Sequence, residues 1–219
     1  REHGERLRPH LLTRAVRAEG DKFSALHAAA WTGGTVLYVP RGVSIERPLH
    51  VLTALVGGGA DFSHLLVILE EGAQATLLAE TAGDDEPGLH VGGTELLVGP
   101  GAALRFVGLQ HWGRGTWHIA RQKAIVERDA ALQWTIGALG ARLAKVNQHV
   151  SLAGPHARAE VNGVMFTEGR QHLAYHTLQH HEAPNCRSDL LYKGALQDQS
   201  RIVWRGMIKV DPGAQKTDA

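Results

Sequence analysis

The feature that most constrains this chain is a turn that keeps returning. Glu70-Glu71-Gly72-Ala73, Gly99-Pro100-Gly101-Ala102, Glu127-Arg128-Asp129-Ala130, Gly154-Pro155-His156-Ala157 and Asp211-Pro212-Gly213-Ala214 are all polar or glycine-rich corners closed by alanine. The closing alanines at 73, 102, 130, 157 and 214 are separated by 29, 28, 27 and then 57 residues, the last step being twice the others. Self-similarity at a period between about 20 and 50 residues marks a stacked architecture, in which each unit buries its apolar face only against its neighbours.

Short β-rich runs fill the intervals: 36–39, 65–69, 75–79, 94–98, 104–109, 117–126, 132–136, 145–152, 159–166, 172–178 and 201–210, with Val43 and Ile45 opening another. A unit of about 28 residues then holds two strands of about ten residues and two turns. An antiparallel sandwich or barrel would show turn signals every 8 to 12 residues or so. The expected fold is all-β: a right-handed parallel β-helix over 35–219 behind a short N-terminal helical segment, 1–34. In that lead-in, Leu7, Leu11, Leu12, Ala15 and Val16 fall near helical spacing before Gly20, and a second helix runs from Lys22 to Ala30.

Composition fits such a stack. Hydrophobic residues make up 43% of the chain but aromatics only 5%, so small aliphatic side chains must fill the core, and 26 glycines supply turns. Twenty-three basic residues against 22 acidic ones give a formal charge of +1, and no basic run along the chain makes a case for nucleic acid or an anionic membrane. The single cysteine, Cys186, excludes an intrachain disulfide and favours a reducing, cytoplasmic setting. No apolar run approaches the ~18 to 20 residues that span a bilayer. The first six residues, Arg-Glu-His-Gly-Glu-Arg, lack the apolar stretch of a signal peptide.

Three segments carry a resemblance. Val36-Leu-Tyr-Val-Pro-Arg-Gly-Val-Ser-Ile-Glu-Arg-Pro-Leu49 resembles the opening of the β-helix in the SufB/SufD family. His181-Glu-Ala-Pro-Asn-Cys-Arg-Ser-Asp-Leu-Leu-Tyr-Lys-Gly-Ala-Leu196 is similar to its most recognisable signature. Trp204-Arg-Gly-Met-Ile-Lys-Val-Asp-Pro-Gly-Ala-Gln-Lys-Thr-Asp218 continues in the family's order, with an ending closer to SufD than to SufB. The resemblance implies a non-enzymatic scaffold in iron–sulfur cluster assembly that pairs with a SufB-like subunit and a SufC-like ATPase. The cluster would belong to the complex rather than to this segment alone. The family's cluster-assembly segment and its ATPase-docking helices follow these strands, so the resemblance places both beyond Ala219 and leaves the last rung open to self-association.

No catalytic or cofactor-binding constellation stands out: there is no Gly-x-Ser-x-Gly, no phosphate loop and no His-Glu-x-x-His. Among 14 histidines the densest group is His172, His176, His180 and His181, which makes the last three the weak candidates for a metal. On one strand His172, His176 and His180 share a face about 13 Å apart, too far for one ion with ligands at ~2.1 Å, and His181 points the other way. Structural or surface roles are therefore expected. Cys186, beside Arg187, is expected to be inert, because one thiol cannot hold a cluster that wants four ligands. Asp189 and Lys193 read as a solvated pair, and Trp112, Trp117, Trp134 and Trp204 as core. The alternative in another class is a secreted-type β-helix enzyme acting on carbohydrate, but the acidic residues here gather at turns.

Overall fold

The computed structural model describes residues 4–31 and 33–219. Fourteen strands follow the lead-in: β1 Gly34–Val39, β2 Leu49–Leu55, β3 Gly59–Asp61, β4 His64–Leu69, β5 Gln74–Gly83, β6 Gly88–Val98, β7 Ala103–His111, β8 Thr116–Val126, β9 Ala131–Ala138, β10 Leu143–Leu152, β11 Arg158–Thr167, β12 His172–His181, β13 Arg187–Leu196 and β14 Arg201–Val210. They form two sheets. Sheet A runs β1-β4-β6-β8-β10-β12-β14, with β3 also beside β6, and sheet B runs β13-β11-β9-β7-β5-β2. Every pairing is parallel and joins strands one rung apart. The chain is a parallel β-helix, as its repeat predicts.

The repeated turn is the corner of the stack. Ala103 pairs with Gln74 and Ala131, and Arg158 with Ala131 and Arg187, so the residues just before them, Ala73, Ala102, Ala130, Ala157 and Cys186, form one file. All five are at most 1% exposed. The doubled step of 57 residues is therefore two rungs, and Cys186 occupies the missing corner. Each residue before the file lies in the left-handed region: Gly72, Gly101, Asp129, His156 and Asn185. Glycine takes that conformation freely, and Asp, Asn and His are the side chains that tolerate it best. Their amides bond across to the next rung: Gly72 to Pro100, Gly101 to Arg128, Asp129 to Pro155 and His156 to Pro184. Ala214 closes a similar turn onto Asp211, but pairing resumes only at Asp218, opposite Arg187.

Alternate residues of the strands point inward. Leu69, Leu77, Val98, Leu104, Phe106, Val126, Leu132, Trp134, Val146, Leu152, Val161 and Leu173 belong to one continuous core, interleaved with alanines. A second, smaller core lies outside sheet A. There Leu66, Ile68, Leu97 and Ile125 are covered by Leu7, Leu11 and Ala15 of the lead-in.

Three local expectations are corrected. Helix α1 covers only Gly4–Leu7 and is followed by turns, while residues 1–3 and Thr32 lie outside the described residues. Pro9 cannot donate a helical hydrogen bond, and the amides of Leu12, Ala15 and Val16 bond to Glu95 instead of to their own turn. The second helix, α2, runs over Lys22–Ala30 as predicted, capped by Asp21. Around Val43 and Ile45 there is only a bridge from Ser44 to Gln74, and β2 starts after Pro48. Finally, β2 and β13 are full strands that the apolar pattern did not separate.

Candidate functional site

The weak metal candidates are not brought together. His181 points into the stack, fully buried, with Nδ1 on Thr217 Oγ1 and Nε2 on Ser188 Oγ at 2.9 Å. Burial and the neighbouring His180 lower its pKa. His180 lies on the outer face, its Nδ1 2.9 Å from Glu182 Oε1 and its Nε2 2.9 Å from Asp211 Oδ2. His176 is half-buried on the same outer face, two rows away. Among the described residues, no group of three His, Cys, Asp or Glu side chains has the geometry to hold a metal ion.

Cys186 is a corner residue. Its thiol donates towards Gly154 O at 3.3 Å, and burial pushes its pKa up, away from the reactive thiolate. Asp189 and Lys193 are exposed on the outer face of β13, without an ion pair to each other. Trp112 and Trp134 are core, as expected, but Trp117 and Trp204 are 46% and 44% exposed. Trp117 points outward from β8. Trp204 points inward but sits on β14, the last strand of sheet A, where Tyr192 stacks on it at 5.9 Å.

The polar groups that the structure does assemble come from different rungs. On the outer face of sheet A, Glu95 is fully buried beneath the lead-in. Its Oε1 accepts from Leu12 N at 2.7 Å, and its Oε2 from Ala15 N at 3.1 Å and Val16 N at 3.0 Å. His64 Nε2 lies 3.0 Å from Oε1, His64 Nδ1 lies 2.9 Å from His27 Nε2, and His27 Nδ1 lies 2.9 Å from Val91 O. A carboxylate at one end and a carbonyl at the other can only accept, so the three contacts need three protons on two rings. Shared among the carboxyl group and the two rings, three protons leave the assembly neutral as a whole, which is what makes it tolerable in a buried place. Burial alone would raise the Glu95 pKa. The bonds from His64, Val16 and Leu12 outweigh it and hold the pKa below the usual value.

Inside the stack, His90 Nδ1 and His118 Nδ1 are 2.7 Å apart, and Trp112 Nε1 donates to His118 Nδ1 at 3.1 Å. His118 Nδ1 must then be the acceptor of both. Burial lowers both pKa values, that of His90 to about 4 despite Asp61 at 3.4 Å. The two rings border a cavity of about 270 Å³ between the sheets, lined also by Thr81, Thr94, Gln110, Gln122 and Tyr175. Gln110 Nε2 and Gln122 Oε1 have no protein partner there, and a polar cavity of that size has room for ordered water.

Sequence spacing could not announce these groups, because His27, His64 and Glu95, and likewise His90 and His118, lie a rung or more apart. The one local signal was Glu95, a lone charge in the run Gly92-Gly93-Thr94-Glu95-Leu96-Leu97-Val98. The same stacking gathers basic residues that are scattered along the chain. Across the outer face of sheet A, Arg121, Asn147, His176 and Arg205 stand in one row, and Lys123 and His149 stand together in the next.

Comparison with known proteins agrees with this architecture. The family profile described as "SUF system FeS cluster assembly, SufBD core domain" matches residues 51–219, from within β2 to the last described residue. Among curated proteins, an iron-sulfur cluster assembly SufBD family protein of Staphylococcus saprophyticus is 26% identical over 211 residues, 95% of this chain and 45% of its own. One of Mycobacterium leprae is 28% identical over 206 residues, covering 90% and 52%. The iron-sulfur cluster assembly protein SufB of Bacillus subtilis is 26% identical over 191 residues, covering 86% and 41%. The chain thus spans about half the length of the curated relatives it matches. Parallel rungs, a family profile over three quarters of the chain and relatives over nine tenths of it converge: this protein belongs to the SufBD core-domain family of the SUF iron–sulfur cluster assembly system.

Proposed function

We propose that the chain is a SufD-like scaffold subunit, working in the cytoplasm beside a SufB-like subunit and a SufC-like ATPase, with no catalytic turnover of its own. The observation that carries this reading is the coincidence of the SufBD core profile, residues 51–219, with the stacked rungs β2 to β14. The ending Ala214-Gln215-Lys216-Thr217-Asp218 supports the SufD branch by resemblance.

The end of the stack suits association. On β14 and at the end of β13, Leu196, Trp204, Met207, Ile208 and Val210 are exposed large apolar side chains. β14 pairs only with β12 among the described residues, which leaves one edge of it open. Such an edge is a template for further strands. The iron–sulfur cluster is then cargo of the assembled complex. Among the described residues, no helix is long and apolar enough to cross a membrane.

The test is genetic and biochemical. A strain lacking the gene should lose most of the activity of an iron–sulfur-dependent dehydratase under iron limitation and regain it on complementation. Unchanged dehydratase activity would remove the proposed role.

A further inference from the structure

The basic row on the outer face of sheet A borders a cleft. It lies between α2 and strands β6, β8 and β10, has a volume of about 210 Å³, and is lined by Lys22, Phe23, Arg121, Lys145, Asn147 and His176 among others. Register places the polar groups together. Asn147 pairs with Arg121 on one side and His176 on the other, so their side chains stand about 4.8 Å apart in one row. Lys145 is two residues along β10, on the same face about 7 Å away.

The charges do not cancel. Asp21 is the carboxylate in the cleft lining, and its oxygens are already taken: Oδ1 accepts from the Phe23 and Ser24 amides, and Oδ2 from Arg121. Lys145, Asn147 and His176 make no side-chain hydrogen bond or ion pair with other described residues. Beyond the row stand Lys123 and Arg205, and the crowding has a consequence. Burial first, then Lys123, His180 and Arg121, hold the His149 pKa down to about 3. In the lining itself Lys22, Arg121 and Lys145 face one carboxylate, Asp21, while Glu95 and Glu182 stand near Lys123 beyond it.

The wall supplied by α2 and β8 is apolar. Phe23 and Ile119 line it, and Lys22 Nζ sits 5.1 Å over the Phe23 ring. Unengaged donors from two adjacent strands, an excess of positive charge and an apolar wall fit one ligand class. A carboxylate offers two oxygens, whereas a phosphoryl group offers three, which matches a lysine, an amide and an imidazole together. The volume leaves space for an organic body against Phe23.

We propose that this cleft binds a small phosphate monoester, with Lys145, Asn147 and His176 on the phosphoryl oxygens and Phe23 and Ile119 against the organic part. The site lies on a sheet face and not at the end of the stack.

Calorimetric titration of the full-length protein with phenyl phosphate and with inorganic phosphate tests the assignment, at low and high salt. Phenyl phosphate should saturate one site more tightly than inorganic phosphate, and high salt should weaken both. Lys145→Gln with His176→Gln should lower both affinities at least tenfold. Phe23→Ala should weaken phenyl phosphate alone, and Lys193→Gln, on the far sheet, should change neither. These positions are surface or half-buried, and far-ultraviolet circular dichroism checks that each variant keeps its sheets. Absence of saturable binding, or equal losses in Lys193→Gln, would overturn the site. Equal affinity for the two probes would overturn the monoester assignment.

Discussion

Glu95→Ala is the perturbation that most sharply tests how the lead-in is held. The carboxylate serves three backbone amides, Leu12, Ala15 and Val16, and is the anchor of the His64–His27 chain. Truncation leaves those donors without an acceptor in a place where water cannot replace it. Each unsatisfied buried donor costs about 1–3 kcal/mol, and breaking a buried ion pair costs about 3–5 kcal/mol. The lead-in escapes the cost by undocking, which exposes Leu66, Ile68, Leu97 and Ile125 but leaves the rungs stacked. A local loss of about 3–5 kcal/mol corresponds to amide exchange roughly a hundredfold to a few thousandfold faster. Hydrogen exchange at Ala15 and Val16 should show it, while Val150, deep in β10, stays protected. Glu95→Gln should be milder: its oxygen still serves Ala15 and Val16 and its amide donates to His64, leaving Leu12 unserved. The pH dependence follows from the sign. The Glu95 pKa is depressed on folding, so its contribution is present above the usual glutamate value of ~4.3 and is lost as pH falls below it. Exchange at Ala15 and Val16 that stays within threefold of wild type in Glu95→Ala would refute the clamp.

Other consequences are direct. His90, held at about 4 against 6.5 by burial, binds its proton later than in the unfolded chain; stability is present above pH 6.5 and falls towards pH 4, by up to roughly 3 kcal/mol. Denaturant titrations of His90→Gln should show a shallower acid-side decline, with His118 supplying the remainder; an unchanged slope contradicts this. Trp134, fully buried and edge-on to Phe106 at 5.7 Å, should cost about 3–5 kcal/mol when cut to alanine, a melting drop of roughly 6–20 °C by calorimetry. Cys186→Ala should be nearly neutral because alanine fills the same file on other rungs, whereas Cys186→Leu should cost about 1–3 kcal/mol. A destabilising Cys186→Ala would mean that the corner is not interchangeable.

The stack was legible because its determinants are local and repeated. A left-handed corner residue and a small buried residue recur once per rung, and the alanines recorded them directly. Where a rung used Asn185 and Cys186 instead, the same corner passed unnoticed, since chemistry rather than shape was being read. The lead-in was partly misread for the opposite reason. Leu7, Leu11 and Leu12 have helical spacing, but Glu95, some 80 residues away, takes the amides that a helix would use. The candidate sites were the least legible. Lys123, His149 and Arg121 form a patch only because register sets residues from separate rungs side by side, and the same register spreads the histidines of one strand apart. Trp204 defeated expectation through its place: a residue that would be core on an inner rung is half-exposed on the last strand.

The central claim is that the chain works as a SufD-like partner in a scaffold, and affinity isolation of the full-length protein from its own cells tests it most directly. Quantitative mass spectrometry of what remains bound should find a SufB-like subunit and a SufC-like ATPase, each in fixed ratio to it. Recovery of the protein with neither enriched would contradict the account.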